Sequence, residues 1–173
     1  MRAWFVLGLM LPLPVCAQVP NFDANFDDVD RWSQAQSHLP PYPKPADYLP
    51  FKVSATATFD FFVDAKSISV GTDGVVRYSL IAKSPEGVLN ISFEGIRCAD
   101  RQFRIYALGR SDDAWSRARN SRWHALPDDT RNAQRAMLYG DFFCPAFGII
   151  GSAEEGVRAL KSGRHPRANS SRF

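Results

Sequence analysis

The chain has 173 residues, 45% hydrophobic and 23% charged, with a formal net charge of +3, which excludes both a disordered polyampholyte and a multispanning membrane protein. One modest domain fits that length. Three histidines and three cysteines lie too far apart for a metal-ligand pattern, and no phosphate loop or nucleophile elbow is present.

Residues 1–17 read as a secretory signal peptide. Arg2 precedes an apolar run from Ala3 to Val15, and small residues follow at Ala17. The run is too short for a transmembrane anchor and is broken by Pro12 and Pro14. Cys16 has two fates. It leaves with the leader, or it is the lipidated first residue of a lipoprotein, as Leu13 three positions upstream allows; Pro14 and Val15 occupy positions where that signal takes small residues. No transmembrane span is expected in the mature chain. With Cys16 gone, Cys98 and Cys144 remain in a chain bound for an oxidising compartment, and they are expected to pair. Closing that loop stabilises a fold by roughly 4 kcal/mol in the chain-entropy model. A redox pair fits poorly without Cys-x-x-Cys spacing.

Residues 18–52 form an arm, acidic first (Asp23, Asp27, Asp28, Asp30), then rich in proline (Pro40, Pro41, Pro43, Pro45, Pro50). Its expected conformation is extended and polyproline-like, pinned to the domain by Trp32, Tyr42, Tyr48 and Phe51.

A single α+β domain is expected over 53–162. Alternating apolar and polar residues mark five strands, at about 57–64, 66–71, 75–83, 88–97 and 102–110. A three-residue loop, Thr72-Asp73-Gly74 with Gly74 left-handed, sets Val70 opposite Val76, Ser69 opposite Arg77 and Ile68 opposite Tyr78. A four-residue loop from Ser84 to Gly87 then sets Tyr78 opposite Phe93, Leu80 opposite Ile91, Ser79 opposite Ser92 and Arg77 opposite Glu94. A three-residue loop over 98–100 brings Arg104 beside Glu94, with Gly95 as a possible bulge. On this register Ile68, Val70, Val76, Tyr78, Leu80, Ile91, Phe93 and Ile105 share an apolar face, while Ser69, Arg77, Ser79, Ser92, Glu94 and Arg104 share a polar one.

Helical signals follow. Asp128 is a candidate N-cap for a helix to about Leu138, and Ser152 with Glu155 forms a capping box for a second, stopped by Gly163. The fold class expected is an antiparallel sheet of about five strands with two or three short helices on its apolar face. Residues 163–173 read as a basic flexible tail.

The strings FVDAKSISVGTDGVVRYSLI, FEGIRC, YALGR and FFCPAFG, with the two tryptophan-containing stretches between them, resemble the cryptic neisserial protein family over about residues 30–150. That resemblance implies a secreted, uncharacterised domain of the Gram-negative envelope. It carries over no catalytic residues.

Catalysis finds little support in the residues themselves. His38, His124 and His165 fall in the arm, beside Trp123 and in the tail, without sequence partners. Asp60, Asp64 and Asp73 are explained by a solvated strand face and a turn. Two glycosylation sequons, at Asn90 and Asn169, are discounted, the first because it lies in an expected strand. The richer signal is cationic: nine arginines fall between Arg97 and Arg135, interleaved with Trp115 and Trp123. Arginine offers a planar fork for phosphate or carboxylate and stacks on aromatic rings.

The expected role is a non-enzymatic binding or assembly module of the periplasm or the periplasmic side of the outer membrane. Its candidate contact residues are Arg77, Glu94, Arg104, Trp115, Arg119 and Trp123. Its partner would be an anionic envelope component or another envelope protein, with no nucleic acid, cofactor or metal. The alternative is an envelope hydrolase of unidentified acid and base.

Overall fold

A computed structural model describes residues 39–126 and 132–168. Its centre is an antiparallel sheet with strand order β1-β2-β4-β5-β6-β7, in which β3 also pairs with β4 and β8 with β6. The strands are β1 Tyr48–Phe51, β2 Asp60–Asp64, β3 Ser69–Val70, β4 Val75–Lys83, β5 Leu89–Arg97, β6 Gln102–Gly109, β7 Trp115–Arg117 and β8 His124–Ala125. Two helices accompany them: α1 Ala133–Met137, continued by a wider π-type turn Leu138–Phe143, and α2 Ala153–Lys161. The class is α+β, with eight strands rather than about five among the described residues.

The three additional strands are short or unusual in composition. β1 contains Pro50, which a sheet accepts at an edge because no ladder donor is needed there. β7 and β8 span three and two residues, too few for alternation to show. The expected N-cap Asp128 lies outside the described residues. Ser152 caps α2 as expected, its hydroxyl accepting the Glu155 N–H at 3.3 Å. Glu155 reaches one residue further back than a capping box, to the N–H of Gly151 at 2.6 Å.

Turn chemistry sets the register. Gly71 N–H bonds the Val75 carbonyl and Gly74 N–H the Gly71 carbonyl, with Gly74 at φ +73°. Ser69 accordingly faces Arg77, and Val70 faces Val76, as expected. The same three-residue loop recurs from Ser84 to Val88, with Gly87 at φ +88°, and from Arg110 to Ala114, with Asp113 at φ +57°.

The second of these loops overturns the expected β4–β5 register. Val88, not Gly87, closes the turn, so Tyr78 faces Glu94, Leu80 faces Ser92 and Ile81 faces Ile91. A slip of one residue reverses every side chain of β5. Glu94 therefore leaves the expected polar face for the core face, and Ile91 and Phe93 go the other way. At the next turn Arg97 faces Gln102, which places Arg104 opposite Gly95 instead of Glu94. The ladder then shifts at Phe93/Glu94, with Tyr106 as the extra residue on β6.

Helices cover one face. Val63, Val76, Tyr78, Leu80, Ile96 and Phe103 meet Leu138, Phe142, Phe143, Ile150 and Leu160 in a single core. The Cys98–Cys144 disulfide, Cα atoms 5.5 Å apart, ties the β5–β6 turn to the end of the π-type turn. The opposite face is half-covered by the proline-rich arm. Tyr42 donates to the Arg110 carbonyl at 2.9 Å, the Trp115 indole donates to the Pro40 carbonyl at 3.0 Å, and their rings lie 5.3 Å apart. Tyr48 packs on Phe62, and Phe51 on Phe61 and Phe142; Trp32 lies outside the described residues. His165, placed by sequence in the tail, is buried, bonding Glu155 at 2.9 Å and accepting the Arg167 N–H at 3.0 Å. Residues 169–173 are not described.

Candidate functional site

The part of the second face that arm residues 39–52 leave open is built around Gly95. Arg77 on β4, Gly95 on β5 and Arg104 on β6 form one cross-strand row, so all three point to the same side. Glycine is needed in the middle. A Cβ there would lie 2.8 Å from the Tyr106 hydroxyl oxygen and 2.9 Å from Val75 Cγ1. Tyr106, two residues beyond Arg104 on β6, points to the same side, and its ring occupies the space. The Arg77 and Arg104 guanidinium carbons stand 5.7 and 5.3 Å from the ring centroid, close enough for cation–π attraction.

The next row carries Arg97, whose guanidinium lies 4.5 Å from the centre of Trp123. Each cation keeps a local acceptor. Arg77 forks onto Asp73 at 3.1 and 2.5 Å, and Arg97 onto Asp100 at 2.7 and 2.6 Å while also bonding Gln102. Arg104 uses only its Nε, toward Ser121 Oγ at 3.1 Å. Among the described residues its two terminal nitrogens meet no acceptor, so they are available to a ligand.

The bond from Arg77 holds the Asp73 carboxyl below its ordinary range. The reciprocal bond, from Asp73, raises Arg77, as Asp100 raises Arg97. Burial raises the Tyr106 phenol, with Arg77 and Arg104 opposing that shift. The face presents three guanidiniums, the carboxyl groups of Asp73 and Asp100 and the Tyr106 phenol.

Of the six residues singled out by sequence, Arg77 and Arg104 meet through Tyr106, and Trp123 joins them through Arg97. Trp115 belongs to the arm's anchorage, packed against Phe93 at 6.2 Å. Arg119 is exposed in the turn after β7, apart from this group. Glu94 is on the other face. It is 0% exposed, with Arg135 forked onto it at 2.7 and 2.7 Å, Ser92 donating at 2.6 Å and Tyr78 at 3.3 Å. Arg135 also lies 4.6 Å from the centre of Phe103 and bonds Asn132 at 2.8 Å. Burial, then the Glu94 charge, pushes the Tyr78 phenol well up. This network ties α1 to the core face of the sheet. Tyr106 and Gly95 are the contributors that residue-type reasoning passed over, though a glycine inside a strand is a signal of close approach.

Other chemistries find no such gathering. His124 stacks on Phe103 with ring centres 5.5 Å apart, and no described carboxylate bonds it. Among the described residues no group of three or more His, Cys, Asp or Glu is placed to hold a metal ion. No described helix is long and apolar enough to cross a membrane. An open groove of about 900 Å³ beside Phe51, Phe61, Met137 and Phe142 lies on the helix-covered side, away from the arginines.

The fold and this face define a small antiparallel α+β domain with a cationic, aromatic surface. The chain belongs to the CNP1-like family, whose sequence model matches residues 27–161. No curated protein and no solved structure gives a match.

Proposed function

We propose that the protein is an exported module of the cell envelope that binds, without catalysis, an anionic component on the periplasmic side through the Arg77, Arg97 and Arg104 face. The observation that carries this reading is three guanidiniums laid on two aromatic rings over a stretch of sheet that, among the described residues, neither the helices nor the arm cover. The leader-like first 17 residues and the bonded cysteines support the address, because disulfides persist in oxidising compartments. Fork geometry supports the ligand charge, since arginine reads planar oxyanions in pairs.

Co-sedimentation with isolated envelope membranes and cell-wall fragments, at low and high salt, tests the reading. Retention is expected to fade as salt rises and to be lost in an Arg97→Ala/Arg104→Ala variant. Equal retention of variant and parent rejects it. Recovery of the chain with its first 17 residues intact in the cytoplasmic fraction rejects the address.

A further inference from the structure

We propose that the cationic face has a built-in occupant: the stretch Asp27-Asp28-Val29-Asp30-Arg31 of the same chain, which lies outside the described residues and which an envelope ligand must displace. The competition rests on the binding role argued above; the occupancy does not. The place where the described chain begins is the first argument. The Pro40 carbonyl accepts the Trp115 indole N–H at 3.0 Å, so the neighbouring Leu39 is held beside Trp115. From that ring the way to Arg104 runs over Phe93 and Tyr106, in ring-to-ring steps of 6.2 and 5.6 Å and a last step of 5.3 Å to the guanidinium. An extended chain from Leu39 back to Asp30 reaches about 30 Å, more than those steps need.

Charge is the second argument, and both signs have to be met. Arg77 and Arg97 already hold Asp73 and Asp100. Arg104, bonded only through its Nε to Ser121, is the guanidinium of this group that still has a fork to offer a carboxylate. A free polyanion would gain that contact against the repulsion of the half-exposed Asp73 and Asp100. In the stretch 27–31 a cation, Arg31, follows directly on Asp30, so a partner for those aspartates travels with the partner for Arg104. Tethering adds to this. A segment already attached at Leu39 escapes most of the association cost that a free ligand meets, so contacts too weak to hold a separate peptide can populate the docked form. The family model, which matches from residue 27 onward, also includes this stretch in the same unit as the sheet.

Arginine modification by phenylglyoxal, followed residue by residue by peptide mass spectrometry, tests this on the full-length mature chain and an Asp27→Asn/Asp28→Asn/Asp30→Asn variant. Arg119, exposed in its turn, is the internal reference. At low salt Arg104 should react about threefold faster in the variant than in the parent. High salt should close that gap, while the Arg119 rate and the thermal melting of the two chains stay alike. Equal Arg104 rates in the two chains overturn the occupancy. Protection of Arg104 that grows with protein concentration also overturns it, because the occupant is then the same stretch of a second copy. Co-sedimentation with envelope fractions separates this proposal from the binding role. Retention of the variant to higher salt than the parent supports the competition. Equal retention together with equal Arg104 rates leaves the binding role standing without a built-in occupant, whereas a faster Arg104 with neither chain retained upholds the occupant and rejects the binding role.

Discussion

The two faces of one sheet use the same three ingredients, an arginine, a carboxylate and an aromatic ring, to opposite ends. On the covered face Arg135 forks onto Glu94 above Phe103, with side-chain exposures of 13% and 0%. On the open face Arg97 forks onto Asp100 beside Trp123, with exposures of 31% and 45%. Solvent makes the difference. A buried pair is held by the lack of any alternative partner and is costly to break from one side, whereas a half-exposed pair can exchange its partner for water or a ligand at little cost. The first is suited to locking a helix onto the sheet, the second to recognition.

The contrast is broken most severely by Arg135→Met. That change leaves Glu94 buried without its cation and should cost about 3–5 kcal/mol in urea unfolding, while Glu94→Gln/Arg135→Met should recover much of the loss. Cys98→Ser/Cys144→Ser should cost roughly 4 kcal/mol by the same measurement, because the covalent tie closes a long loop. Gly95→Ala tests the open face. The added Cβ must displace Tyr106 or Val75, so a loss of about 1–3 kcal/mol is expected, with weaker anion retention. Arg97→Ala should change stability by less than about 1 kcal/mol; a loss as large as that of Arg135→Met would erase the distinction between the faces.

The smallest effect concerns pH. Asp73 has a folded pKa held below its unfolded value, chiefly by its bond from Arg77. Its contribution is therefore present above the unfolded carboxylate range and lost as pH falls through the folded pKa. Urea midpoints followed from neutral to acid should fall less steeply in Asp73→Asn than in the parent. An unchanged slope would show that the Arg77–Asp73 bond contributes nothing in solution.

Much of this was readable from local chemistry. Gly74 in its three-residue loop, the alternation across Val75–Lys83, Ser152 before its helix and the pairing of Cys98 with Cys144 each follow from rules acting over a few residues or from counting. The candidate site was only partly legible. Arg77 and Arg104 stood out by residue type, but they meet over Tyr106 only because the register pairs both with Gly95, which has no Cβ to hold that ring away.

What the sequence by itself determined is five of the eight strands, the three-residue turn at Gly74 and the residues able to bond covalently, because these depend on backbone preference and composition. What only the tertiary structure decided is which face each side chain of β5 occupies. Around Ile91–Phe93 the strand alternates acceptably in either sense, since both faces of the sheet are covered there, one by helices and the other by the arm and Trp115. One residue of turn, Val88, settles the matter. It sends Glu94 inward, where a charge is tolerable only because Arg135, 41 residues later, arrives to meet it.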